Sequence, residues 1–214
     1  MKFDPKDKVI ACCGRRGSGK TKLIEYLYKS YKHEFDACFV VSPTEFNGFY
    51  ANVGMDPRNI SQSYSNDWIM SLIAKMAAVN KNKTKDDDDF KRVLLILDDC
   101  CGDQSFRQKS KHPGFHAIVA RGRHLGISLI IAMQHVRDVA PHARENTDYL
   151  FIGKTTPRSK KILEEEFSDG MSKDEFMDML SIAGEDYQFV VICNCATSSK
   201  RDDVYGIVKA MEVV

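Results

Sequence analysis

What this chain lacks narrows its identity first. No apolar run approaches the ~20 residues that a membrane-crossing helix needs, so no transmembrane segment is expected. The opening stretch from Met1 to Lys8 has no apolar core of signal-peptide length, which leads to the expectation of a cytosolic chain. Charge of one sign is missing too: 31 Lys and Arg stand against 30 Asp and Glu, for a net charge of +1. Any nucleic-acid contact therefore has to come from a local basic patch. The seven cysteines lack the paired spacing of a zinc site. Cys12 with Cys13, Cys100 with Cys101, and Cys193 with Cys195 fall in or beside apolar runs. Buried free thiols in a reducing compartment are expected, with a zinc site or a disulfide as the alternative. Internal repeats are also missing. The 214 residues read as one domain over 1–214, with a core of about 8–168 and a helix–strand extension of about 169–214.

What is present begins with a phosphate-binding loop: Gly14, Arg15, Arg16, Gly17, Ser18, Gly19, Lys20 and Thr21. The apolar run Val9–Cys13 before it reads as a buried strand, and the segment Thr21–Lys32 after it reads as a helix. Strand, loop and helix in that order are the context this motif requires. The glycines let the backbone wrap phosphate oxygens without a Cβ in the way. The loop N–H groups and the helix N-terminus then face the anion. Lys20 is assigned to the β- and γ-phosphates of ATP, and Thr21 to Mg²⁺ through its hydroxyl.

Further apolar runs at Ala37–Ser42, Val93–Leu97, Ser128–Met133, Tyr149–Gly153 and Phe189–Cys193 barely alternate with polar residues. Strands covered on both faces by helices look like this. Helical patterns lie between them at Asn66–Asn80, Gly114–His124, Pro157–Phe167 and Ser172–Ala183, the last opened by a capping-box pattern from Ser172 to Glu175. The alternation implies an α/β fold with a mostly parallel sheet and helices on both faces.

The run Val93–Leu97 ends in Asp98 and Asp99. An apolar strand ending in acids supplies the other half of an ATP site. Asp98 is assigned to Mg²⁺, directly or through water, and Asp99 to orienting or deprotonating the attacking water. Aspartate at this second position is one methylene shorter than the more frequent glutamate. Gln134 ends the run Ser128–Met133. If that strand lies between the phosphate-loop strand and the Asp98 strand, Gln134 reaches the γ-phosphate or the water; otherwise it is a solvated amide.

These residues resemble the FtsK–HerA superfamily of DNA-pumping ATPases. The resemblance is carried by the loop Gly14–Thr21, the strand and acids Val93–Cys100, and the block from Ala120 to Gln134. It is closest to the viral branch, the genome-packaging ATPases of poxviruses, other large nucleocytoplasmic DNA viruses and virophages. Ser42–Thr44, Asn47–Tyr50 and Pro141–Tyr149 are similar to that branch as well. The resemblance implies a RecA-like core, a homo-oligomeric ring (pentamer or hexamer), and ATP-driven movement of double-stranded DNA into a capsid. It also implies capsid or membrane-associated virion proteins as partners, at a cytoplasmic assembly site or in the virion.

A ring of this kind needs an arginine that reaches the neighbour's γ-phosphate, a contribution of about 10³–10⁵ in rate. Arg144 is the first candidate, Arg121 and Arg123 the next, while Arg15 and Arg16 serve either a neighbour or the nucleotide in cis. For DNA the candidates are Arg107, Lys109, Lys111 and His112, in a short polar loop that is either a phosphate-tracking element or an ordinary solvated loop. Phe106 beside them is a candidate to wedge or stack. Two other functions fit a phosphate loop with acids: a small nucleoside or nucleotide kinase, and a nucleotide-switched scaffold with little turnover.

Overall fold

The computed structural model describes residues 3–100, 106, 108–168 and 170–210. In chain order its strands are β1 (Val9–Cys13), β2 (Ala37–Val41), β3 (Ile60–Ser61), β4 (Val93–Asp98), β5 (Ile127–Met133), β6 (Tyr149–Ile152), β7 (Gln188–Cys193) and β8 (Tyr205–Lys209). They form one sheet in the order β3, β2, β4, β5, β1, β6, β7, β8. From β3 to β6 every pairing is parallel; β7 and β8 join antiparallel. The helices are α1 (Lys20–Tyr31), α2 (Phe49–Asn52), α3 (Asn66–Val79), α4 (Pro113–Arg121), α5 (Pro141–Glu145), α6 (Pro157–Phe167), α7 (Lys173–Ile182) and α8 (Arg201–Val204).

The absence of polar alternation in the central strands has a direct cause. On one face Leu23, Ile24 and Leu27 of α1 share a core with Ile10, Cys12, Leu94, Ile96, Ile130 and Ala132. On the other, Ile69 of α3, Phe115 and Ile118 of α4, Leu163 of α6 and Phe176 of α7 share one with Ala11, Cys13, Leu95, Leu97, Leu129 and Ile131. Successive strand residues point to opposite faces, and both faces are covered, so both must be apolar. Each of the Leu, Ile and Phe side chains among them contributes about 1.5–3 kcal/mol by burial. Helix ends follow local chemistry: Ser172 and Glu175 exchange the two hydrogen bonds of a capping box at the start of α7.

The register positions the chemistry. β5 lies between β4 and β1, with Ala132 opposite both Asp98 and Cys12, and Met133 opposite Cys13. The last residue of β4, the phosphate loop and Gln134 therefore leave the sheet side by side along one edge. The short β3, the antiparallel sense of β7 and the edge strand β8 are additions to the sequence-based expectation. β8 reads Tyr205, Gly206, Ile207, Val208, Lys209, with Ile207 52% exposed, and an exposed edge strand carries too little apolar signal to stand out.

Candidate functional site

The phosphate loop is held at its base by backbone alone. Gly14 N–H donates to Met133 O at 3.1 Å, Arg15 N–H to Lys154 O at 2.8 Å, and Gly153 N–H to Cys13 O at 2.8 Å. Gly17 and Gly19 sit at φ 76° and 88°, a left-handed region that a side chain resists. Gly19 caps α1, and no acid in the first turn of the helix neutralises its positive end. Lys20 is buried and donates from Nζ to Gly14 O at 2.8 Å and Arg15 O at 3.4 Å. The buried Ser18 Oγ has no partner among the described residues. A loop with an unpaired hydroxyl, a lysine satisfied only by loop carbonyls and an open helix end fits a polyphosphate. Arg15 and Arg16 are exposed. Thr21 is half-buried in the first turn of α1.

Asp98 closes β4 with only 4% of its surface exposed. Its Oδ2 accepts a 2.8 Å hydrogen bond from the Tyr50 hydroxyl. Tyr50 is held in turn by Glu45, whose Oε1 accepts its backbone N–H at 2.9 Å. Burial pushes the Asp98 carboxyl up; Tyr50 opposes this, Asp99 adds to it, and Lys20 opposes it. Burial and the facing Asp98 also push the Tyr50 phenol well up, so it stays a donor. A carboxylate this desolvated, held in one orientation and close to Lys20, fits a hard divalent cation such as Mg²⁺. Neither Tyr50 nor Glu45 had an assigned role from sequence. Tyr50 lay in the segment Asn47–Tyr50 that carried the resemblance, and that was its only signal.

Asp99 turns the chain sharply, at φ 52°. Its Oδ2 accepts from Gln134 Nε2 at 3.3 Å, and its buried Oδ1 has no partner among the described residues. Asp99, Met133, Gln134, His135 and Asp138 line a cleft of about 210 Å³. The two residues assigned from sequence to the attacking water are thus hydrogen-bonded to each other on the wall of one cleft. A roomier cavity of about 640 Å³, lined by Glu166, Asn194, Arg201 and Tyr205 among others, lies away from the phosphate loop. Volume is a poor guide here, because phosphates are gripped by exposed backbone N–H groups and not by a deep pocket.

Arg144 is engaged within its own chain. Its guanidinium makes a bidentate pair with Glu166, at 2.7 and 2.5 Å, and donates to Val139 O at 2.7 Å, with the side chain 13% exposed. Three donors of the guanidinium are thereby directed into its own chain, fastening α5 to α6. Arg121 and Arg123 are exposed. They precede Ile127, which pairs with Val93 at the entry end of β4, the sheet end opposite Asp98. They therefore lie away from this chain's own phosphate loop. In the basic loop, Lys109 and Lys111 are exposed, while Arg107 lies outside the described residues. His112 stacks on Phe106 at 3.9 Å, and Phe106 is 4% exposed against Tyr64 and Phe115. Phe106 is core and not a wedge. Of the cysteines, Cys12, Cys13, Cys100 and Cys193 are buried free thiols and Cys38 and Cys195 are half-buried.

The fold and the site define a RecA-like P-loop protein, and comparison with known proteins places it further. The poxvirus A32 protein family matches residues 3–211, and the chain belongs to that family, within the viral FtsK–HerA branch its motifs resemble. It is 30% identical over 149 residues to protein 075L of Invertebrate iridescent virus 6, covering 69% of this chain and 54% of that one. It is 28% identical over 202 residues to protein 015R of Frog virus 3, covering 92% and 60%. The chain thus spans less than two thirds of the length of either relative. Among solved structures, the genome packaging NTPase B204 of Sulfolobus turreted icosahedral virus 2, in complex with AMPPCP, matches with a TM-score of 0.69 at 17% identity. That match covers 97% of this chain and all of B204, and it concerns the fold.

Proposed function

We propose that this protein is the ATP-hydrolysing motor that drives double-stranded DNA into a viral capsid, working as a homo-oligomeric ring. The observation that carries the reading is the meeting, at one sheet edge, of Lys20, the Tyr50-held Asp98 and the Asp99–Gln134 pair. Membership of the poxvirus A32 family and the fold shared with a genome packaging NTPase support it.

In this reading the loop from Gly14 to Thr21 holds the triphosphate, with Lys20 exchanging its loop carbonyls for phosphate oxygens. Thr21 and Asp98 hold Mg²⁺, which when bound neutralises charge on the β- and γ-phosphates. Asp99 and Gln134 orient a water. Its oxygen bonds to the γ-phosphorus, the bond to the β–γ bridging oxygen breaks, and the water's proton passes to Asp99. ADP and phosphate leave. Arg121 and Arg123 of a neighbouring subunit complete the site, and Lys109 and Lys111 contact DNA phosphates. The ring works at the cytoplasmic assembly site or on the virion, docked to capsid or membrane-associated virion proteins.

ATPase rate measured against protein concentration, with and without double-stranded DNA, tests this. Specific activity is expected to rise with concentration and again with DNA. Phosphate transfer to a nucleoside would indicate a kinase instead, and ATP binding without turnover under any condition would indicate a scaffold.

A further inference from the structure

Tyr187 holds an aromatic ring against the phosphate loop, and none of the roles above uses it. A Cβ added at Gly19 would meet Tyr187 Cδ1 at 2.5 Å and Cε1 at 3.3 Å, so the ring touches loop backbone one residue before Lys20. Its other side is open: Tyr187 is 52% exposed. A tyrosine in such a position offers an apolar ring and a polar hydroxyl, the combination enriched at binding surfaces.

The ring is held there by construction. It sits in the turn before β7, where Asp186 and Tyr187 both adopt left-handed backbone, at φ 48° and 58°. That conformation is disfavoured for a residue with a Cβ, and it persists only where the surroundings impose it. Gly184 N–H donates to Gln188 O at 2.8 Å, Ala210 N–H donates to Tyr187 O at 3.1 Å, and Asp186 pairs with Lys209 of β8. The turn also rests on Lys154: a Cβ at Gly184 would meet Lys154 N at 2.7 Å. Lys154 O is the acceptor for Arg15 N–H, so one residue braces both the turn and the phosphate loop.

The chemistry still missing from the site is recognition of the nucleoside. Lys20, Thr21, Asp98, Asp99 and Gln134 are all committed to phosphates, metal or water. With the phosphates on the N-terminus of α1, the sugar and base must leave the loop along one of its flanks, and Tyr187 stands on one flank beside Gly19. We propose that Tyr187 is the stacking platform for the base of the bound nucleoside triphosphate, an assignment that rests on the phosphate-loop reading of Gly14 to Thr21. Stacking uses the π-face that every base possesses, so this platform fixes the plane of the base more than its identity. It also gives the β7–β8 hairpin a part in nucleotide binding.

Calorimetric titration of the full chain with two probes, AMPPCP and inorganic tripolyphosphate, each with Mg²⁺, tests the assignment. Tyr187→Ala is expected to weaken AMPPCP about tenfold and leave tripolyphosphate unchanged, while Tyr187→Phe keeps both. Retained tripolyphosphate binding also shows that the variant is folded. AMPPCP affinity unchanged in Tyr187→Ala overturns the proposal, as does an equal loss of both probes, which would make the ring mere packing for the loop. In either of those cases a wild-type chain that binds tripolyphosphate leaves the phosphate-loop reading standing. A wild-type chain that binds neither probe overturns that reading, and the platform with it.

Discussion

The hydroxyl of Tyr50 donates a 2.8 Å hydrogen bond to Oδ2 of Asp98, and both residues are buried. The carboxylate assigned to the metal therefore has its orientation fixed by a residue from a different segment, α2 in the connection between β2 and β3. That connection is itself clamped, because Glu45 accepts Tyr50 N–H and Gln62 Nε2 donates to Glu45 O at 2.8 Å.

Tyr50→Phe tests that relationship. It removes one hydrogen bond to a charged group and leaves the ring in place, a loss of about 1.5–3 kcal/mol. Half-saturating Mg²⁺ in the ATPase assay is expected to rise by roughly tenfold or more, with ATP binding to the loop retained. An unchanged Mg²⁺ dependence would separate Tyr50 from the metal site.

Asp98 gives a pH dependence of definite sign. Burial raises its pKa in the folded protein, so the folded state holds the proton more tightly than the unfolded chain does. In the ligand-free protein the stability from this group is present below the unfolded value near ~3.9 and is lost as pH rises through the raised folded value. Mg²⁺ binding needs the carboxylate and strengthens over the same rise. Asp98→Asn is expected to raise the ligand-free Tm at neutral pH by about 2–4 °C while abolishing Mg²⁺-dependent turnover. Differential scanning fluorimetry with an ATPase assay reads both.

Asp99 and Gln134 are expected to act on the chemical step. Asp99→Ala keeps ATP binding and loses turnover by about 10²–10⁴, the range for a general base. Lys20→Ala, in contrast, loses binding itself. Loss of nucleotide affinity in Asp99→Ala would mean that its carboxylate serves the metal and not the water.

The arginines separate by assay. Arg144→Ala is expected to cost about 1–2 kcal/mol of stability through its lost pairing with Glu166, seen in urea denaturation. Arg121→Ala and Arg123→Ala should leave stability unchanged. If either is the trans finger, mixing it with inactive Asp99→Ala subunits restores some turnover, because an intact Asp99 can then border an intact arginine.

Much of this site was legible because its parts are short and local. The glycines of the loop, the acids ending an apolar strand and the glutamine ending another each announce themselves within a few residues. Their convergence then follows from β5 lying between β4 and β1. Contacts between distant segments were not legible. Tyr50 reaches Asp98 across 48 positions, and Arg144 reaches Glu166 across 22, so no local pattern distinguishes an anchoring arginine from a free one. Phe106 failed for the same reason: a single aromatic in a polar loop looks exposed until Tyr64, His112 and Phe115 are seen around it. Tyr187 carries no motif at all, and only the antiparallel return of β7 brings it to Gly19.

Movement along DNA is the central claim, and displacement of a third strand from a DNA triplex measures it directly. A labelled oligonucleotide is annealed to one end of a linear duplex, and its release is followed after protein, ATP and Mg²⁺ are added. Release is expected with the wild-type chain, none with Lys20→Ala, and none with AMPPCP in place of ATP. A wild-type chain that hydrolyses ATP on this duplex at full rate yet never releases the third strand would contradict it.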